Sequence, residues 1–105
     1  MRITIAHSKT KAEVIQAVDR SFDDVFKNVG ALRIQLVNEQ RRWDGSTLVF
    51  SFTAKIGLLS SFIKGTVDVT EKDVTIDADL GLLERLLGSK TSRGAIESKV
   101  RGFLT

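Results

Sequence analysis

The chain contains one histidine, His7, so any imidazole chemistry depends on that residue alone. Histidine titrates near neutral pH and can donate a proton or line an interface. His7 lies between a strand-like segment and the start of a helical pattern, where its ring nitrogens can also bond to nearby backbone. We expect this structural role, with His7 making a polar contact near the helix start.

Three aspartates alternate with other residues in strand-like segments between residues 65 and 80. Asp68, Asp77 and Asp79 should share one face of a hairpin, and carboxylate oxygens are ligands of hard divalent cations. Such a site needs several converging oxygens, and neighbouring Thr and Lys residues dilute this group. The sequence therefore favours a solvated strand face and no metal site.

The residues required for covalent or phosphoryl-transfer catalysis are missing or unsupported. The sequence has no cysteine, and its eight glycines form no G-x-x-x-x-G-K phosphate loop. A Ser-His-Asp triad would have to use His7, and no nucleophile-elbow sequence accompanies it. We therefore predict that the protein is not an enzyme and has neither catalytic residues nor a cofactor.

Arg41, Arg42 and Trp43 place two cations beside an aromatic ring, a combination that can stack on a nucleobase. The formal net charge is only +3, however, and nucleic-acid binders usually concentrate more positive charge on one face. We therefore expect no nucleic-acid partner. In the favoured interpretation Trp43 anchors a sheet edge through packing and a polar contact, and both arginines stay solvated.

The first elements are indicated by the hydrophobic pattern. Residues 2–6 alternate as a strand with isoleucines on one face. Thr10 and Glu13 form a capping box at the start of a helix, and Gly30 should end this helix as a left-handed C-cap. The apolar stripe of the helix consists of Ile15, Val18, Phe22, Val25, Phe26 and Val29.

Four further strands are expected in two hairpins, followed by a second helix. The first hairpin starts at Leu32, has a bulge or loop within residues 37–42, and turns at Asp44-Gly45. The second hairpin turns at residues 71–73. The inward-facing strand residues and the apolar face of the last helix are Leu48, Phe50, Phe52, Ala54, Val67, Val69, Val74, Ile76, Ala78, Ile96, Val100, Phe103 and Leu104.

These elements predict the fold class. Two apolar helical stripes and a sheet with one apolar face can bury each other in two layers, and such alternating strands are typical of antiparallel sheets. We predict an α+β two-layer sandwich of order β-α-β-β-β-β-α, with a mostly antiparallel sheet and helices on one face. Residues 1–105 should form a single domain. No apolar run is long enough for a signal peptide or a transmembrane segment.

Two leucine-rich segments, residues 56–63 and 80–87, exceed what the regular apolar faces require. Each contains Gly-Leu-Leu and each follows a strand. They either form an exposed patch, suited to a partner protein, a second copy of the chain or an apolar polymer, or they close the open ends of the core. The sequence leaves both alternatives open. The candidate binding residues are Leu58, Leu59, Phe62, Leu82, Leu83, Leu86 and Leu87.

Taken in order, these motifs resemble the polyhydroxyalkanoic acid system protein family, small bacterial proteins linked to storage-polyester granules. The resemblance extends over nearly the whole chain. It is carried by Ile3-x-Ile5-x-His7, Trp43-Asp44-Gly45-x-x-Leu48-x-Phe50, Gly65-Thr66-Val67-x-Val69, Val74-x-Ile76, Leu80-Gly81-Leu82-Leu83 and Ile96-Glu97. The chain departs from the family pattern in a longer strand over residues 32–42 and a more apolar segment over 56–63.

The resemblance implies a cytoplasmic protein that acts at or near polyester granules, and it brings no catalytic residue. Our first hypothesis is a non-catalytic accessory protein whose apolar patch binds the polyester granule surface or a granule coat protein, with a homodimer as a further alternative. The second hypothesis is a domain that binds a small acyl-type ligand in a cavity between helix and sheet, with Trp43, Phe50 and Phe52 near its wall. A tightly packed core would argue against the second hypothesis.

Overall fold

The computed structural model describes residues 1–29 and 32–104. Within these residues the chain forms seven strands and three helices. In chain order they are β1 (Arg2–Ala6), α1 (Lys11–Lys27), β2 (Asn28–Val29), β3 (Leu32–Arg33), β4 (Gln35–Asp44), β5 (Thr47–Ile56), β6 (Leu59–Val69), β7 (Asp73–Asp79), α2 (Leu82–Leu87) and α3 (Ser89–Leu104).

Five of the strands form one antiparallel sheet in the order β1-β7-β6-β5-β4. The two-residue strands β2 and β3 pair separately. Alternate residues of the large sheet are buried with the apolar sides of α1 and α3 in one core cluster, and the intervening residues are largely exposed. The predicted α+β fold, with a mostly antiparallel sheet and helices on one face, is confirmed.

Helix α1 begins at the predicted capping box. The Thr10 hydroxyl accepts a hydrogen bond from the Glu13 N–H at 3.2 Å, and the Glu13 carboxylate accepts one from the Thr10 N–H at 3.2 Å. A further hydrogen bond from the Thr10 hydroxyl to this carboxylate favours its charged form, so the pKa of Glu13 is lowered. The start of the helix is thus fixed by residues close in sequence.

The end of α1 comes earlier than predicted. The helix ends at Lys27, and Asn28 is already extended with φ −134° and ψ 118°. Val29 is buried as expected, but it belongs to strand β2 and not to the helical stripe. Gly30, the predicted C-cap, lies outside the described residues. The apolar face also differs at its start, since Val14 is buried and Ile15 is only partly buried.

The predicted bulge lies in β4. Its register against β5 shifts between Val37 and Gln40, and Asn38 has a φ of 54°. Asn tolerates this left-handed conformation better than most residues. The extra residue reverses which side chains of β4 face the core. Before the bulge, Leu36 lies opposite the buried Ala54; after it, the odd-numbered Arg41 lies opposite the buried Phe50.

Two tight turns differ from the predicted connections. In the first hairpin the central turn residues are Gly45-Ser46 and not Asp44-Gly45, since Asp44 pairs with Thr47. In the hairpin formed by β5 and β6, Gly57-Leu58 joins the two strands directly. Most of the leucine-rich segment 56–63 is therefore strand and not an irregular connection. Gly45 and Gly57 have φ values of 60° and 62°, as a turn with glycine at its first central position requires.

The second leucine-rich segment contains a helix that the predicted order lacks. Helix α2 spans Leu82–Leu87 and is followed at once by α3. Gly88, with φ 82°, separates the two helices and donates a backbone hydrogen bond to the Glu84 carbonyl at 2.7 Å. The C-terminal helical region is therefore bent into two pieces.

The centre of the core is aromatic. Phe22 and Phe26 of α1 pack on Phe50 and Phe52 of β5, with ring centroids 4.9 Å apart for Phe22–Phe50 and 5.2 Å apart for Phe26–Phe52. Together with Val100 of α3 these side chains are at most 2 % exposed. The predicted burial of Phe22, Phe50, Phe52 and Val100 is confirmed.

Candidate functional site

Four large apolar side chains are exposed at one end of the molecule. The exposed fractions are 107 % for Leu58, 47 % for Leu59, 60 % for Phe62 and 45 % for Leu86. Val49 is the remaining large hydrophobic residue exposed among residues 1–29 and 32–104, at 38 %. We call Leu58, Leu59, Phe62 and Leu86 the apolar tip.

Leu58 occupies the second central position of the Gly57-Leu58 turn. Its side chain is fully exposed, so the leucine adds nothing to the core. Tight turns are normally formed by Gly, Asn, Asp, Ser or Pro, which satisfy the backbone geometry without exposing apolar surface. The fold therefore does not require leucine at this position.

The β5–β6 hairpin and α2 are joined through Ser61. The Ser61 hydroxyl donates to the Leu80 carbonyl at 2.9 Å and accepts from the Leu83 N–H at 3.3 Å, so α2 starts beside β6. Leu58 is three residues from Ser61 along the hairpin, and Leu86 is one helical turn from Leu83. These spacings place both leucine-rich segments at the same end of the sheet.

The candidate leucines of the second segment separate into three environments. Leu83 is fully buried and belongs to the core cluster, so it leaves the set of candidate contact residues. Leu82 is half-buried, and Leu87 is half-buried and packed against the core. Only Leu86 is exposed. The segment thus both closes the core and contributes to the surface.

Phe62 lies on the opposite face of the sheet from α2. Ser61 and Ile63 are buried on the helix side, and side chains alternate along a strand, so Phe62 points outward. Its cross-strand neighbour is Thr53, and exposed lysines occupy the adjacent outward positions, Lys64 on β6 and Lys55 on β5. Apolar side chains therefore emerge on both faces of this end of the hairpin.

A shallow open groove of about 460 Å³ adjoins Phe62 on the outward face of the sheet. Its outward-facing lining combines apolar and basic side chains. These residues are Gln40, Arg42, Val49, Ser51, Phe62 and Lys64.

His7 is held by backbone on both sides of its ring. Nε2 lies 2.9 Å from the Thr70 carbonyl oxygen, and Nδ1 accepts a hydrogen bond from the Lys9 N–H at 3.2 Å. A carbonyl can only accept, so these partners fit the neutral ring with its proton on Nε2. His7 ties the end of β1 to the β6–β7 turn, at the end of the sheet away from the apolar tip.

Trp43 and Arg41 both reach across to α1. The Trp43 Nε1–H donates to the Asp19 carboxylate at 3.1 Å, and Arg41 donates to the Asp19 carbonyl at 2.9 Å. The Arg41 guanidinium also lies 5.0 Å from the centre of the Phe22 ring, within the range of cation–π attraction. Arg41 is exposed, as expected from the sequence, but it also contacts α1. The bulge in β4 is the reason for this contact, since it turns the residue toward the helix.

A pair of carboxylates flanks this contact. Glu39 forms an ion pair with Arg41 at 2.9 Å, which favours the charged form. Burial and a hydrogen bond with Asp23 act in the opposite direction and dominate, so the pKa of Glu39 is raised. The Glu39 carboxyl group thus connects the bulge to Asp23 of α1. Within residues 1–29 and 32–104, no three His, Cys, Asp or Glu residues are grouped as a metal site would require.

One apolar space between the helices and the central strands is small. It amounts to about 20 Å³, lined by apolar residues of α1, α3 and the central strands. That volume accommodates about one water molecule, whereas ligand pockets usually occupy about 300 Å³ or more. This space is therefore too small for an acyl ligand, and Phe50 and Phe52 pack on each other and on α1.

Comparison with known families supplies the context of this surface. A family model described as "Putative polyhydroxyalkanoic acid system protein" matches residues 1–104. The chain belongs to this family. The description names no enzymatic activity. Comparisons with curated proteins and with solved structures gave no match. Among the described residues, no helix has the length and apolar content needed to cross a membrane.

Sequence reasoning missed Ser61, which shapes the site, and it did not predict which face of β4 carries Arg41. Ser61 looked like part of an irregular connection, because two serines interrupt an otherwise apolar segment. Its even spacing with Leu59 and Ile63 was the available signal for an inward-facing strand position. Arg41 could not be assigned to the core side, because its direction depends on the exact position of the bulge.

Proposed function

We propose that this member of the polyhydroxyalkanoic acid system family is a single-domain, non-catalytic, cytoplasmic accessory protein that adsorbs to the surface of polyester granules. The contact surface is the apolar tip, with half-buried Leu82 and Leu87 at its margin. One observation carries the proposal. Four of the five large apolar side chains exposed among the described residues lie at one end, and one of them is a fully exposed leucine in a tight turn.

The physical basis is the transfer of this end from water to an apolar phase. Full burial of a leucine or phenylalanine side chain contributes about 1.5–3 kcal/mol. A few such side chains give reversible binding after the cost of immobilising the protein. A polyester presents methylene groups and ester carbonyls over a wide area, so it can accept side chains from both faces of the hairpin.

The observations favour granule adsorption over the acyl-ligand hypothesis. The apolar space of about 20 Å³ beneath α1 and α3 is too small for an acyl ligand, and the larger groove between α1 and β4 is open and lined mainly by charged and polar residues. A granule coat protein and a second copy of the chain remain rival occupants of the same surface. Both would bury the same leucines, so they are separated from polyester by experiment.

The test is co-sedimentation of purified protein with polyester particles that carry no other protein. Wild-type protein should sediment with the particles. Leu58→Ser should bind about 10- to 100-fold more weakly, corresponding to the loss of about 1.5–3 kcal/mol. Because the Leu58 side chain is fully exposed, the substitution should leave the fold intact, which a thermal unfolding curve checks.

Val49→Ser is the matched control. It also removes an exposed apolar side chain from β5. Val49 lines the same groove as Phe62 but lies near the other end of β5 from the Gly57-Leu58 turn, so sedimentation should fall much less than in Leu58→Ser. Equal binding by Leu58→Ser and wild type would contradict the proposal. Sedimentation only after a coat protein is added would assign the surface to that protein, and a molecular mass that falls from dimer to monomer in Leu58→Ser would assign it to a second copy.

A further inference from the structure

The groove on the outward face of the sheet crosses three neighbouring strands, β4, β5 and β6. The strand register arranges its outward-facing lining in rows. Arg42 lies opposite Val49 in one row, and the next row consists of Gln40, Ser51 and Lys64. The volume of about 460 Å³ lies within the range of about 300–1,000 Å³ that is usual for small-ligand sites.

The two cations of this groove have no partner in the fold. Arg42 and Lys64 are exposed, and among residues 1–29 and 32–104 neither side chain takes part in a hydrogen bond or an ion pair. Acidic residues occupy adjacent positions outside the lining, Asp44 two residues along β4 from Arg42 and Asp79 opposite Lys64 on β7. The Asp79 carboxylate is engaged elsewhere, since it accepts a hydrogen bond from the Gly81 N–H at 3.0 Å. The lining itself contains no acidic residue.

Apolar side chains lie on both sides of the row that contains Lys64. Val49 precedes Ser51 on β5, and Phe62 precedes Lys64 on β6, each by two residues. Their exposed fractions are 38 % and 60 %, and neither belongs to the core cluster. The groove thus offers apolar contacts at two places, with polar and cationic groups between them.

We propose that this groove binds the carboxylate end of a hydroxyacyl ester chain. The inference rests on the proposed function, because every linear polyester chain ends in one carboxyl group and the groove adjoins Phe62 of the apolar tip. The Arg42 guanidinium offers paired N–H donors that match a carboxylate, and Lys64 adds a second positive charge. The Ser51 hydroxyl and the Gln40 amide can donate to ester carbonyls, while the two apolar side chains contact the hydrocarbon part of the chain.

Two other ligand classes share part of this chemistry. A fatty acid also carries a carboxylate on an apolar chain, but it has no ester carbonyls for Gln40 and Ser51. Single-stranded nucleic acid could stack a base on Phe62, but it needs cations along its backbone, and this groove has only two unengaged ones. The mixture of two cations, two neutral donors and two apolar groups therefore favours an ester chain with a free carboxylate.

The size of the charge contribution follows from the exposure of both cations. An exposed ion pair strengthens binding by up to about fivefold. Removal of Arg42 and Lys64 together should therefore weaken binding of the free-acid chain about tenfold. Salt should reduce the same contribution, because charges at an exposed surface are screened over about 8–10 Å.

The experiment is an NMR titration of the full chain with four probes: an oligomer of hydroxybutyric acid with a free carboxyl end, its methyl ester, decanoate and single-stranded oligothymidine. The groove variant combines Arg42→Gln and Lys64→Gln. The matched control combines Arg2→Gln and Lys72→Gln, which removes the same formal charge from exposed positions outside the groove. Thermal unfolding verifies that both variants are folded.

The free-acid oligomer should bind wild type about tenfold more tightly than its methyl ester, with shifts in the amide signals of β4, β5 and β6. The groove variant should lose this preference, whereas the control and Leu58→Ser should keep it, because Leu58 does not line the groove. Equal binding of acid and ester, or equal losses in the groove variant and the control, would overturn the inference. Tighter binding of decanoate or oligothymidine than of the free-acid oligomer would overturn it too.

The outcome is independent of the sedimentation test. Sedimentation of wild type with polyester particles, combined with no preference for the free-acid oligomer, would overturn the assignment of the groove and leave the proposed function standing. Binding of the oligomer without sedimentation would overturn the proposed function and support the groove as a site for soluble chains. Failure in both assays would overturn both.

Discussion

Ser61 links the two leucine-rich segments, so Ser61→Ala tests how the apolar tip is positioned. The side chain is 4 % exposed and sits where β6 meets the start of α2. Its hydroxyl donates to the Leu80 carbonyl at 2.9 Å and accepts from the Leu83 N–H at 3.3 Å. Alanine keeps the size of the side chain close to that of serine and removes both hydrogen bonds.

The expected cost is about 1–2 kcal/mol in the free energy of unfolding. A buried backbone group left without a partner costs about 1–3 kcal/mol. Here the Leu83 N–H also bonds to the Leu80 carbonyl at 3.2 Å, so neither group is left completely unpaired and the lower part of that range applies. For a domain of this size, each kcal/mol lowers the melting temperature by about 4–8 °C.

The assay is urea unfolding of the variant and of two controls. Ser60→Ala removes the neighbouring exposed hydroxyl and should change stability by less than about 0.5 kcal/mol. Ser92→Ala removes a fully buried hydroxyl that has no hydrogen-bond partner among residues 1–29 and 32–104, so it should be neutral or stabilising. Amide hydrogen exchange should also show faster exchange at Leu83 in Ser61→Ala.

The reasoning would be refuted if Ser61→Ala were as stable as Ser60→Ala and exchange at Leu83 were unchanged. In that case the hydroxyl would not hold α2 against β6, and the position of Leu86 would have another cause. A loss in Ser92→Ala equal to that in Ser61→Ala would refute it too, because partnered and unpartnered hydroxyls would then behave alike.

Two further predictions concern the sheet and the carboxylate pair. Gly65→Ala should destabilise the protein by about 1–3 kcal/mol, because the added methyl group would overlap the Asp77 carbonyl and lie 2.8 Å from the Ala78 Cα. Gly94 lies in open space on α3, so Gly94→Ala should stabilise the protein by up to about 1 kcal/mol in the same unfolding assay. A lower stability for Gly94→Ala than for Gly65→Ala would contradict this prediction. Folding raises the pKa of Glu39, so the protonated side chain favours the folded state. The free energy of unfolding therefore decreases as pH rises through the folded pKa and Glu39 becomes charged. Glu39→Gln should therefore gain stability relative to wild type at pH 7, and the gain should vanish below the ordinary carboxyl pKa; an unchanged difference across that range would contradict the assignment.

Sequence patterns predicted the elements whose formation depends on nearby residues. Thr10 and Glu13 are three residues apart, so a capping box requires no knowledge of the rest of the fold. Alternation along β5 and β7 identified their buried faces, because a strand in a sheet with one wet side repeats every two residues. The family resemblance, confirmed over residues 1–104, likewise depends on ordered motifs along the chain.

The tertiary structure decided what local patterns leave open. The bulge at Asn38 sets the side of β4 on which Arg41 lies, and its position is fixed by the pairing of β4 with β5. The same holds for the helix end at Lys27, where the chain turns into a strand pairing before it reaches Gly30.

The two Gly-Leu-Leu segments show this difference most directly. The sequence alone established that both contain more apolar residues than the regular faces need. Both glycines take positive φ, 62° at Gly57 and 56° at Gly81, yet the first tripeptide turns a hairpin and the second starts a helix. In the first tripeptide Leu59 pairs back with Ile56 of β5, whereas in the second the Leu83 N–H donates to the Ser61 hydroxyl. Identical side chains become surface at Leu58 and core at Leu83 because burial is set by contacts between residues distant in the chain.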